Sequence, residues 1–279
     1  MSVDAIALPS GDTMPALGQG TAGLAEGRYP AEQEVAALRV GLELGMSRID
    51  TAEAYADGAA ERLVGVAVAG RRDEVFLVGK VDPANASHDH TVSACEHSLA
   101  RLGTDRLDLY LLHGRGEIPL DVTVRAFQDL RDRGLIRHWG VANFSVRDLA
   151  DLARVDGGDE VQVNQVVYNL ARRGIEWDLL PLCAQSGLPL TACAPLEHGQ
   201  LVGDPVLRGI AVRHGVKAAQ VALAWVLGRG GVATHPRAGT PVHVERNRAA
   251  LELRLTADDL VELDAAFEPP LGPAELPPS

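Results

Sequence analysis

Cysteine is scarce in this chain, aromatic rings are few, and no stretch stays apolar for long. The cysteines are Cys95, Cys183 and Cys193 alone. An odd set without disulfide or zinc spacing suits a reducing compartment, so the expected location is the cytoplasm. No apolar run approaches the ~18 residues of a membrane-spanning helix. The N-terminal segment MSVDAIALPSGDTMPALG has no basic stretch followed by an apolar one, so no secretory signal is expected. Positive charge is in deficit, with 26 Lys and Arg against 38 Asp and Glu, a net charge of −12. Such a surface repels phosphate backbones and anionic lipid, which argues against nucleic acid and membranes as partners but allows a local basic pocket for one small anion. His88 and His90 stand two apart and would not share a helix face, so no metal site is expected.

What is present is a regular alternation. The chain has 279 residues, 46% of them hydrophobic, enough for one well-filled α/β barrel. Two short apolar runs around Ser10, Gly11 and Asp12 predict an N-terminal hairpin. Strand-like runs then fall at 17–22, 48–52, 75–81, 107–113, 138–143, 160–169, 189–196 and 232–239, each followed by a helix-like run. Eight such units predict a (β/α)8 TIM barrel with an N-terminal β-hairpin and extra C-terminal helices. An open doubly wound sheet is the alternative. One domain is expected over 1–279, with a Pro-rich tail at 268–279. The run Gly18-Gln19-Gly20-Thr21-Ala22-Gly23 spells G-x-G-x-x-G, but Pro30 and the segment before it separate the last glycine from the next helix. A dinucleotide-binding Rossmann turn needs the helix to open there.

In a barrel of this kind, working residues lie at the C-terminal ends of strands. Four polar groups interrupt apolar strands there or follow them closely: Asp50, Tyr55, Lys80 and His113. Each alone reads as ordinary, as a helix cap, a lid residue, a solvated lysine or a core histidine. Together they meet at one mouth. A lysine in an apolar strand also needs a partner, and Asp50 is the obvious one.

The segments DTAEAY, VGK, LDLYLLH, GVANFS, NQVVYN and HPRAGTPVHVERN resemble, in order and spacing, the signature segments of the aldo-keto reductases, from about residue 5 to about residue 268. The run YNLARRGIEWDLLP is similar to a bacterial branch that includes reductases of methylglyoxal and related aldehydes. The resemblance implies an NADPH-dependent reductase of aldehydes or ketones, with NADH as a second cofactor. Tyr55 would be the proton donor, Lys80 paired with Asp50 would lower its pKa, and His113 would orient the substrate oxygen. It implies cofactor contacts from Gly20 and Thr21, from Asn143 and Gln165 to the nicotinamide amide, and from Cys193 where that ring usually stacks on a Tyr. Pro195 and Leu196 would cover the pyrophosphate. Arg237, in place of the usual Lys, would meet the 2′-phosphate, with His243 and Asn247 beside the adenine.

This sequence departs from the family's pattern at several positions. Ala142, Ala194 and Ala238 stand where serines often bind, and His243 where an Arg is common. Ala22, Gly114 and Cys193 are small where large rings are frequent. A wide substrate mouth follows, unless Tyr29 or the tail fills it, and a bulky carbonyl is the expected substrate. The partner is therefore a small-molecule carbonyl, and a monomer is expected. Two other readings stand beside this one: a cofactor-binding barrel that acts as a sensor or subunit, and a non-redox barrel enzyme such as a hydrolase or a Lys80 Schiff-base aldolase.

Overall fold

A computed structural model describes residues 3–276. Met1, Ser2 and the last three residues of the Pro-rich tail lie outside the described residues. Strands β1 (Ala5–Ala7) and β2 (Thr13–Pro15) form the expected antiparallel hairpin, with Ile6 opposite Met14.

Eight parallel strands follow: β3 (Gln19–Gly20), β4 (Arg48–Asp50), β5 (Phe76–Val81), β6 (Leu107–Leu112), β7 (Ile136–Ala142), β8 (Asn164–Val167), β9 (Leu190–Cys193) and β10 (Val232–Thr234). They pair in chain order. The ring closes between first and last strands. Thr234 N donates to Ala16 O at 2.7 Å and Gly18 N to Thr234 O at 2.8 Å, with parallel bridges Leu17–Thr234 and Gly20–Arg237. This is the (β/α)8 barrel, and the open sheet is set aside.

Closure is tight because the first strand carries little. A Cβ on Gly20 would stand 2.5 Å from the His235 carbonyl oxygen, and one on Gly18 would stand 2.8 Å from Arg48. The helices that wrap the ring are α1 (Ala31–Glu43), α2 (Ala59–Val68), α3 (His88–Leu102), α4 (Leu120–Asp132), α5 (Val146–Leu152), α6 (Leu179–Ser186), α7 (Pro205–His214), α8 (Ala218–Leu227), α9 (Pro241–Ala249) and α10 (Ala257–Ala266). Several end at glycine. At Gly103 the backbone turns left-handed (φ 63°) as the α3 C-cap, a conformation that glycine adopts without a Cβ penalty.

Two apolar belts lie between ring and helices. One includes Leu38, Leu77, Phe127 and Trp139; the other includes Val166, Leu190, Val221 and Trp225. Inside the ring the layers differ by height. At the N-terminal end the hairpin inserts Met14 and Leu8 beneath Val78, Leu109 and Leu111. Alternation along a strand then carries polar groups upward on the same inward face: Val78 to Lys80 on β5, Leu109 and Leu111 toward His113 beyond β6, Arg48 to Asp50 on β4. The barrel thus has an apolar floor and a charged upper layer.

Candidate active site

Strands β4 and β5 are in register with Asp50 opposite Val78, which places Lys80 one step above Asp50. Lys80 is completely buried. Its Nζ donates to the Asp50 carboxylate, to Thr51 O at 3.0 Å and to Tyr55 Oη at 3.3 Å. Gln165 Nε2 donates to the other Asp50 oxygen at 2.8 Å. Burial alone would favour the neutral acid, but His235, Lys80 and the two side-chain donors outweigh it and hold the Asp50 carboxyl down at about 2. Lys80 responds in kind. Burial opposes its charge, yet Asp50 and Tyr55 keep the ammonium above its ordinary value.

Tyr55 enters from the turn after β4, where Tyr55 N donates to Ala52 O at 3.1 Å. Its ring meets His113 edge-on, with centroids 5.9 Å apart and planes at 77°. The sequence expectation that Lys80 would lower the phenol pKa holds only as a direction. Burial raises it by more than Lys80 lowers it, so the net shift is upward. The hydroxyl is therefore protonated at neutral pH. His113 follows β6, fixed by His113 N to Val81 O at 2.9 Å. Burial first, and Lys80 second, push its imidazole down to about 4, so it is neutral.

Two neighbours were missed in the sequence. Arg48 is buried at the strand start and directs its guanidinium into the ring, where Nη2 donates to Thr234 O at 2.7 Å and Nη1 to Thr191 Oγ1 at 3.4 Å. Burial pulls it down to about 10 against the pull of Asp50. The signal was available, since Arg48 stands two residues before Asp50 and so shares its inward face. His235, just past β10, lies with Nε2 3.5 Å from Asp50 Oδ1. Burial, aided by Arg48 and Lys80, lowers it to about 4. Its signal was the same alternation, since His235 stands two residues after the inward-facing Ala233.

The remaining expected residues line one continuous cavity of about 1670 Å³. At the Tyr55 end stand His113, Ala22, Gly114, Asn143, Gln165 and Cys193; at the far end stand Arg237, His243 and Asn247. Thr21 N and Oγ1 both donate to Asp50 O at 3.0 Å, which ties the end of β3 to the charged layer. Asn143 has a left-handed backbone (φ 58°) and its Nδ2 donates to His113 O at 3.0 Å. Gln165 gives one amide hydrogen to Asp50, a use that the sequence did not suggest.

Gly20, Pro195 and Leu196 also face the cavity. The Pro195–Leu196 loop is fixed from below, since Asn169 Nδ2 donates to Ala194 O at 2.9 Å and to Glu197 Oε2 at 2.7 Å. Left-handed Ala194, Glu197 and His198 show how tightly that loop is bent. Tyr29 reaches the cavity from the Arg237 side, with its ring against Gly239, rather than over Tyr55. Leu276 of the tail adds one apolar contact to the wall.

The cavity suits a long anionic ligand. Arg28, Arg208, Lys217, Arg237 and Arg246 line it in a chain of net charge −12. Helix α9 also opens beside Arg237, with Thr240 as its N-cap, and so brings the positive end of its dipole to that end of the cavity. Among the described residues no cluster of His, Cys, Asp or Glu could hold a metal, and no helix is long and apolar enough to cross a membrane.

Comparison with known proteins agrees on one family. The model of the "Aldo/keto reductase family" matches residues 16–268. Methylglyoxal reductase YeaE of Escherichia coli K12 is 47% identical over 273 residues, which is 96% of each chain. Glyoxal reductase of Bacillus subtilis is 34% identical over 265 residues, covering 94% of this chain and 92% of its own. An aldo-keto reductase of Klebsiella pneumoniae, solved in complex with NADPH, superposes with a TM-score of 0.96 at 43% identity over 100% of both chains.

Proposed function

This chain belongs to the aldo/keto reductase family, and from that premise we propose how its residues divide the work of NADPH-dependent carbonyl reduction. The reaction class and cofactor are those of the family, and the sensor and non-redox readings fall away. The observation that carries the assignment of roles is the buried Asp50–Lys80 pair, with Lys80 Nζ 3.3 Å from the Tyr55 hydroxyl.

Bound NADPH supplies the hydride. Every other part is done by side chains. Tyr55 is the acid, and because burial keeps its phenol protonated it enters each turnover ready to donate to the carbonyl oxygen. Lys80 stabilises the phenolate left behind, through the charge-assisted contact that already exists. Asp50 holds Lys80 charged and in place, and Gln165 holds Asp50. His113 is neutral, so it presents an N–H to the substrate oxygen without competing as a proton source. Asn143 and Gln165 flank the nicotinamide end, with Gly20 and Thr21 beside them and Cys193 on the ring's face. Pro195 and Leu196 cover the pyrophosphate. Arg237, His243 and Asn247 take the 2′-phosphate and adenine end.

The preferred substrate is a bulky aldehyde or ketone. Ala22, Gly114 and Cys193 all face the cavity. A Cβ on Gly114 would meet only Pro83 Cγ, at 3.7 Å. Tyr29 stands against Gly239 at the other end, and the tail contributes Leu276 alone among the described residues, so the mouth beside Tyr55 stays wide. A small aldehyde would be held loosely there, and positioning controls much of the barrier. The second reading is a small dicarbonyl, favoured by the name of the 47% identical methylglyoxal reductase. Kinetics across a panel of carbonyls decide between them. The first reading expects kcat/KM to rise with substrate bulk, and Ala22→Trp to lower it for bulky substrates about tenfold while sparing small ones. Methylglyoxal as the best substrate overturns it. We read the chain as one domain over 1–279, acting as a monomer in the cytoplasm. The three cysteines, all free, support the location.

A further inference from the structure

Residues 21–30 leave β3 and reach α1 as a strap across the Arg237 end of the cavity. Four contacts hold it. Leu24 is buried in the core, and its N–H donates to Thr21 O at 2.9 Å. Ala25 N donates to Oε2 of Glu34, itself buried on α1, at 2.9 Å. The Tyr29 ring fills a notch over Gly239, where a Cβ would stand 2.4 Å from ring Cδ2. Arg237 Nη1 donates to Gly23 O at 3.0 Å.

The last contact depends on a missing side chain. Gly23 has φ +80°, and a Cβ there would lie 2.3 Å from Arg237 Nη1. Any other residue both strains the strap and displaces the guanidinium.

We propose that Gly23 is a positioning residue for cofactor choice: its bare backbone carbonyl holds one Nη of Arg237 and aims the rest of the guanidinium at the 2′-phosphate of NADPH. This rests on the reading that Arg237 meets that phosphate. A guanidinium has five N–H donors, so one bond to Gly23 leaves four for the phosphate. A carbonyl orients the guanidinium without neutralising it, as a carboxylate would, and among the described residues Arg237 makes no ion pair. An arginine already held in place loses less freedom when the phosphate arrives. That matters here because Ala238 and His243 stand where stronger anion ligands are common in the family. The strap therefore contributes to selectivity for the phosphorylated cofactor through a residue with no side chain.

The test is cofactor affinity of the full chain without substrate, read from tryptophan fluorescence quenching for NADPH and NADH and from displacement of bound NADPH for 2′,5′-ADP. Gly23→Ala should weaken NADPH about tenfold and change NADH by less than twofold, and 2′,5′-ADP should follow NADPH. Arg237→Ala should cause at least the same selective loss, and Gly23→Ala should add nothing on that background. Tyr29→Ala, which frees the strap from Gly239 without touching Arg237, should give a smaller NADPH-selective loss of about threefold. It keeps the idea testable if Gly23→Ala does not fold. Equal weakening of both cofactors would make the strap a structural element only and overturn the proposal. So would an unchanged NADPH affinity, or a Gly23→Ala effect that adds in full to Arg237→Ala. If Arg237→Ala itself leaves selectivity intact, the 2′-phosphate reading of Arg237 fails first, and this proposal with it.

Discussion

The two ends of the cavity are built on opposite plans. At the Tyr55 end, charged side chains are fully buried and each is held by another: Lys80 by Asp50, Asp50 by Gln165, with Arg48 and His235 packed around them. At the Arg237 end, the geometry depends on side chains that are missing at Gly23 and Gly239 and on a backbone carbonyl. The buried end is rigid because low dielectric makes every unpaired group costly. The strapped end is set by fit, and its one hydrogen bond to Arg237 is exposed to solvent. Chemistry should therefore be lost by changes at the first end, and cofactor choice by changes at the second.

The largest expected effect tests that division directly. Tyr55→Phe removes the acid but no charge, and should lower kcat by roughly 10²- to 10⁴-fold. NADPH affinity should stay within about twofold, because the distant strap is untouched. A variant that keeps a tenth of wild-type kcat, or that loses cofactor affinity, would break the separation.

Next is Lys80→Met. It leaves the Asp50 carboxylate buried without its main partner, which typically costs about 3–5 kcal/mol and lowers Tm by on the order of 10 °C. Thermal unfolding measures this. An unchanged Tm would mean that Arg48 and His235 suffice to hold Asp50, so the buried end would be less interdependent than its contacts imply.

A smaller effect concerns pH. His113 and His235 are held neutral down to about 4 in the folded chain, whereas the unfolded chain takes up those protons near the ordinary value of 6.5. Between these values the unfolded state binds more protons, so stability falls as pH drops from about 6.5 to 4. Each histidine should account for up to about 3 kcal/mol of that loss. Asp50, lowered to about 2, adds its own loss only below about 3.8. Denaturant titrations of His235→Gln should show a visibly flatter decline across pH 6.5–4. A decline as steep as in the wild type would mean that His235 does not stay neutral.

The same contrast explains what could be read in advance. The eight strands showed as short apolar runs because both faces of the sheet are covered. Asp50, Lys80 and His113 showed because ionisable residues stood out in those runs. Arg48 was readable in principle from its spacing to Asp50, which puts both on the inward face of β4. His235 follows β10 as His113 follows β6, two residues past the inward Ala233, so its face was readable in principle but its approach to Asp50 across the ring closure was not. Gly23 and Gly239 act through volume they do not occupy, and an absent Cβ has meaning only once its neighbours across the fold are known. Nor could the phenol's net pKa be read, because the nearby cation is visible in sequence while the degree of burial is not.

Cys193 gives the mouth a chemical durability. It sits beside Tyr55 and within the influence of Lys80, a setting that often makes a thiol reactive. Burial prevails instead and pushes its thiol up to about 12, as it does for Cys95 and Cys183. The nucleophilic thiolate is then a negligible fraction at neutral pH. An enzyme whose substrates are electrophiles thus carries sulfur at its entrance without offering them a target, and peroxide or alkylating agents should find this mouth slow to poison.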